Sequence, residues 1–128
     1  MALTFDNYTV VSDKGFEAAV LAVWTRAEAN GFTVLYFHDL QTIFRAKGFQ
    51  QGPAGVVEIC HEPFGSQMLA LNPQMSLMMP CKIAVYAKEG RVHLSAPQSR
   101  LIGEFTSEFA PITEQLNSGL RRIVDEAR

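Results

Sequence analysis

No stretch of this sequence is apolar for long enough to cross a bilayer as a helix, which takes about 18 residues. The first residues, Met-Ala-Leu-Thr-Phe-Asp-Asn-Tyr, lack the basic and apolar regions of a secretory signal. Clustered positive charge is missing too. Arg121 and Arg122 are the one adjacent basic pair, acids surround them, and the net charge is −2. Such a chain has no basic block with which to displace counterions from a nucleic acid or hold an anionic membrane, so neither is an expected partner. Cysteine is scarce, 2 residues with no C-x-x-C spacing. In the cytoplasm, where these features place the protein, two such cysteines read as free thiols rather than a structural disulfide.

Catalytic signatures are equally thin. There is no phosphate-cradling glycine loop, no G-x-S-x-G elbow, no H-E-x-x-H and no clustered-cysteine zinc spacing. Ser95, Ser99 and Ser107 have no assignable His or Asp partners. No catalytic residue is named and no cofactor is called for.

What is present is core. Hydrophobic residues make up 48% of the 128 residues, enough for one domain without staples. Charged residues make up 19%, below the roughly 25% of average domains. With that little polar cover, a subunit interface, most simply a homodimer, is expected.

Glycine and proline cut the chain into short elements. Residues 3–11 read as a strand. Ser12 or Asp13 is placed to cap a helix over 14–29, whose Phe16, Ala19, Val20, Val23, Trp24 and Ala27 form a helical stripe. Asn30-Gly31 ends it as a left-handed cap would. Phe32 to His38 is a strand, and Asp39 opens a short helix over 40–47. Val56 to His61 is a third strand. Pro63 fits the entry of a helix that Asn72-Pro73 stops. Residues 74–79 carry no clear pattern. Pro80 opens a fourth strand through Ala87, Lys88-Glu89-Gly90 turns, and 91–96 is a fifth. The tail, with Phe105, Phe109, Ile112, Leu116, Ile123 and Val124 near one stripe, is a helix that Pro111 must kink or begin afresh.

The order β-α-β-α-β-α-β-β-α predicts a single α+β domain over 1–128, with one mixed, mainly antiparallel sheet carrying helices on one face.

Several short motifs occur in order. Asn30-Gly31-Phe32-Thr33-Val34-Leu35 follows the amphipathic helix, and Asp39 opens a short helix ending near Gly48. A strand ends in Ile59-Cys60-His61-Glu62-Pro63. Ala70-Leu71-Asn72-Pro73 closes a helix, and Leu77-Met78-Met79-Pro80-Cys81 opens a strand. Across residues 15–97 this resembles the DUF302 family, a domain of unknown function, with residues 98–128 adding the C-terminal helix. Met78 and Met79 stand where leucines are more usual, and Ser76 where glycine is. The resemblance implies a compact α+β domain that pairs into dimers. It carries over no catalytic residue.

Chemistry, if any, concentrates between Cys60 and Cys81. The pair could exchange disulfides, carry a persulfide or bind a soft metal. Each needs a thiolate, which a helix start at Pro63 and the Lys82 charge would favour. Both could equally be buried strand residues. Met78 and Met79, with Met68 and Met75 nearby, could complete a Cu(I) site by softness, or fill gaps. His61 beside Glu62 could act in acid–base chemistry, although neighbours on a strand point to opposite faces. His38 beside Asp39 shares that weakness, Asp39 reading better as a cap, and His93, alternating with Val92 and Leu94, is expected to face solvent or a partner. Three readings result: a homo-oligomeric module binding a small ligand or a protein; a redox, sulfur-handling or Cu(I) protein built on Cys60 and Cys81; and an enzyme with a small pocket near His61 and Glu62. Whether the third and fourth strands are antiparallel neighbours decides if the two sulfurs can approach.

Overall fold

The computed structural model describes residues 6–98 and 110–128. The elements are β1 (Asn7–Ser12), α1 (Phe16–Ala29), β2 (Thr33–Asp39), α2 (Leu40–Arg45), β3 (Ala54–Cys60), α3 (Glu62–Leu71), a 3-10 turn (Pro73–Met78), β4 (Cys81–Lys88), β5 (Arg91–Pro97) and α4 (Ala110–Ala127). The order is the one read from the sequence. The patternless 74–79 stretch is the 3-10 turn, capped by Asn72, whose Oδ1 accepts the Gln74 N–H at 3.0 Å. Pro111 lies in the first turn of the described α4, where it costs least. Residues 3–5 of the expected first strand, and Phe105 and Phe109 of the expected tail helix, lie outside the described residues.

Local chemistry explains most boundaries. α1 buries Ala19, Val23 and Ala27, one every four residues, and carries Glu17 in its first turn and Arg26 in its last, as the helix dipole favours. It ends in a Schellman motif. The Phe32 N–H donates to the Ala27 carbonyl at 3.0 Å and the Gly31 N–H to the Glu28 carbonyl at 3.1 Å. Gly31 takes φ +84°, open to a residue without Cβ. Asp39 does cap α2, accepting the Thr42 N–H at 3.1 Å. The β4–β5 hairpin turns at Glu89 and Gly90, both at positive φ, the signature of a type I′ turn.

The five strands lie in the order β1-β5-β4-β3-β2, and every neighbouring pair is antiparallel. The sheet is thus wholly antiparallel rather than mixed. β1 and β2, though consecutive, occupy opposite edges, and α1 carries the chain from one to the other. The inward strand residues Val57, Ile59, Ile83, Val85, Leu94 and Ala96 pack with Ala19, Val23 and Ala27 of α1 and Leu120, Ile123, Val124 and Ala127 of α4. That places both long helices on one face. β3 begins at Ala54, two residues before its expected start, and Gly55 within it lies under the Phe37 ring, where a Cβ would collide.

The opposite face of the sheet is open. Register aligns Thr9, Ser95, Ala84, Val56 and His38 in one row across it, and Val11, His93, Tyr86 and Ala54 in the next. Not one of these residues is buried.

Candidate functional site

β3 ends at Cys60 and β4 opens at Cys81, and the two strands are antiparallel neighbours. The two cysteines therefore share one end of the sheet. They do not share a face. Cys81 lies opposite Ile59, whereas Cys60 lies opposite Thr33 of β2. Alternation along β3 sets Cys60 with Val56 and Glu58 on the open side, while Cys81 packs against the core. Side chains that diverge in this way do not meet disulfide geometry without backbone movement. Both cysteines are free thiols.

Their surroundings hold them protonated. Burial pushes the Cys81 thiol up to about 11, with Cys60 adding to the rise and Lys82 opposing it. Burial, then the Glu62 charge, raises Cys60. Lys82, read from sequence as an activator, is outweighed by burial, and Glu62 works against a thiolate at Cys60.

The methionines divide. Met79 and Cys60 converge on Gly65 of α3: a Cβ there would lie 3.6 Å from Met79 Cε and 3.9 Å from Cys60 Sγ. Met79 also joins Met75 and Ile112 around Met68, the one buried residue of α3, in a small satellite core. Met78 instead points outward, 56% exposed. The thioethers thus fill the space beneath α3 as flexible side chains do. Among the described residues, no group of three His, Cys, Asp or Glu side chains could hold a metal ion.

His61 is an N-cap. Its Nδ1 accepts the Phe64 N–H at 3.4 Å, its ring stacks on Phe64 at 4.0 Å, and Phe32 meets its ring edge-on at 5.2 Å. Glu62 begins α3, where its charge favours the positive end of the helix. No hydrogen bond joins His61 to Glu62; one caps α3 and the other is a first-turn acid.

Two pairs of ring side chains lie on the open face, with little signal of them in the sequence. His38 Nε2 is hydrogen-bonded to Glu58 Oε1 across β2 and β3, and Tyr36 tilts against His38 at 4.8 Å. Tyr86 and His93 stack with planes 2° apart at 5.3 Å. A bulge at Leu35 keeps Tyr36 and His38 on this face, and strand register alone reveals the His38–Glu58 pairing. Glu58 also stands directly opposite Lys82. An open hollow beyond β2 is lined by Arg45 and residues 48–52, away from every candidate residue.

Residues 8–127 match the family model described as domain of unknown function DUF302. A solved structure, that of an uncharacterized conserved protein DUF302 from Bacillus stearothermophilus, is similar with a TM-score of 0.90 at 20% identity, over 98% of this chain and 100% of that one. At that identity the likeness concerns the fold. No curated protein matches.

Proposed function

Given that the chain belongs to the DUF302 family, whose name records no activity, we propose that it is a non-catalytic binding module that works as a homodimer joined through the open face of its sheet. The observation that carries this reading is that uncovered face. Five strands at about 4.8 Å spacing, each about 20 Å long, present about 500 Å² before corrugation. That is the order of the roughly 800 Å² of accessible surface each partner gives to a standard interface. Its charges suit a second copy. Glu58 and Lys82 stand side by side on β3 and β4. A two-fold axis running between those strands sets Glu58 of each copy over the partner's Lys82. Two free thiols also fit the reducing cytoplasm, and no helix among the described residues is long and apolar enough to cross a membrane. A small molecule or a protein would then be bound by the paired module.

Thiol redox or Cu(I) chemistry at Cys60 and Cys81 is the competing reading. Raised thiols on opposite faces weigh against it.

Light scattering and native mass spectrometry of freshly purified protein test the proposal together. A dimer without metal or cysteine adduct is expected, and Ala84→Arg, at the centre of the open face, should yield a folded monomer. A wild-type monomer at tens of micromolar overturns the reading. So does a dimer that survives Ala84→Arg but is lost in Leu77→Ser, since Leu77 is 85% exposed on the 3-10 turn and belongs to no strand of the sheet.

A further inference from the structure

We propose that α2 and the loop after it form a docking arm for a segment of another protein that presents carboxylates beside apolar side chains. The inference rests on reading the chain as a binding module but not on its pairing, since residues 40–53 belong to no strand. α2 is 6 residues long and buries none of them. Residues 42–50 are all exposed. Ile43, Phe44 and Phe49 are the large apolar side chains among them, Phe49 with 66% of its surface accessible. A helix this short gains its stability from packing an apolar side, yet here the apolar side chains stand in solvent. Exposed apolar groups held close together mark an interaction surface.

The arm is nonetheless fixed in place. Asp39 caps its start, and a Schellman motif ends the helix. Gly48, at φ +87°, donates its N–H to the Arg45 carbonyl at 3.0 Å, and the Phe49 N–H donates to the Phe44 carbonyl at 3.1 Å. That returns Phe49 to the turn that carries Phe44. The Gln51 carbonyl then accepts Gln41 Nε2 at 3.1 Å and Arg45 Nε at 3.2 Å, tying the loop back to the helix. A surface ordered beforehand loses little freedom when a partner arrives.

Charge selects the partner. Residues 40–57 contain Arg45 and Lys47 and no Asp or Glu. The β4–β5 turn, tied to the loop by the Ala87 N–H on the Pro53 carbonyl at 2.9 Å, adds Lys88 and Glu89, which cancel. The bond from Nε is the one side-chain hydrogen bond of Arg45 among the described residues. Both Nη groups remain for a carboxylate, which a guanidinium fork grips with two bonds. Arg45 lines the open hollow with Phe49, Gln50 and Gln51. A carboxylate seated there adjoins an aromatic wall and amides able to bond a peptide backbone. Two cations are too few for an anionic membrane, whose recognition takes clusters of about four or more.

Selection of random phage-displayed peptides on the purified protein, followed by fluorescence polarisation of the selected peptides, tests this. Peptides with Asp or Glu beside Leu, Phe or Trp are expected. Arg45→Gln should weaken their binding at least about tenfold, the worth of a hydrogen bond to a charged group. Phe49→Ser should do the same as the loss of an aromatic anchor. Arg45→Lys keeps the charge without the fork and should recover only part of the affinity. Leu21→Ala, on the exposed side of α1, should leave binding unchanged. No selected peptide, peptides without acids, or binding that survives both Arg45→Gln and Phe49→Ser overturns the proposal. So does attachment to phosphatidylserine vesicles that depends on Arg45 and Phe49 and that the peptides do not displace. Oligomeric state is read in parallel: a monomer that still binds the peptides rejects the pairing and supports the docking arm.

Discussion

Cys81 stands across the β3–β4 ladder from Ile59, one residue short of Cys60. That single offset sends one thiol into the core and leaves the other on the open side. It separates two residues that look like a pair in the sequence.

The first prediction concerns the buried thiol. Cys81 is raised in the folded chain to about 11, whereas an unfolded cysteine ionises near 8.5. Between these values the unfolded chain has lost a proton that the folded one keeps. Stability should therefore fall as pH rises from about 8.5 to about 11, by about 3 kcal/mol, and level off above. Urea unfolding of wild type and Cys81→Ala across that range measures it, and the variant should lack this part of the slope. At neutral pH, Cys60→Ser and Cys81→Ser should leave self-association unchanged.

A second prediction rests on Gly55. The Phe37 ring, which packs against Phe16 at 6.4 Å, occupies the place a side chain would take. Gly55→Val must displace that ring, an overpacking that costs about 1–3 kcal/mol. Thermal and urea denaturation should report the loss.

The third is a charge swap. If the two-fold axis runs between β3 and β4, Glu58→Lys sets like charges face to face across the interface and should weaken dimerisation at least about tenfold, about 1.4 kcal/mol. Combining it with Lys82→Glu should restore the wild-type constant. Because Glu58 also bonds His38, His38→Ala serves as the control for that lost contact. Sedentation by analytical ultracentrifugation of the four proteins decides the matter.

The fourth is a core truncation. Ile83 and Ile123 are fully buried between sheet and helices. Ile83→Ala and Ile123→Ala should each cost about 2–5 kcal/mol, whereas Leu21→Ala on the exposed side of α1, where Leu21 is 66% accessible, should change stability by less than about 0.5 kcal/mol. Chemical denaturation checks the contrast.

Features with a local cause were legible in the sequence. Asn30-Gly31 announced the end of α1, Asp39 the start of α2 and Glu89-Gly90 the hairpin, because each is decided by neighbouring backbone geometry. The element order and the α+β class followed from them. Features set by register were not legible. Nothing near His38 points to Glu58, and nothing near Cys60 says which way Cys81 faces, since both answers depend on how separate strands slide into alignment. The role of His61 as a cap was hidden for a different reason: it depends on helix entry at the very next residue, Glu62.

The placement of β1 and β2 on opposite edges bears on how the chain is made. β1 leaves the ribosome before every other described strand, yet among the described residues its sheet partner is β5, with Asn7 paired to Pro97. β3, β4 and β5 can associate as soon as they emerge, each with the strand next in line. β1 must wait for nearly the whole sheet, and its late, long-range closure should be the slow step of folding.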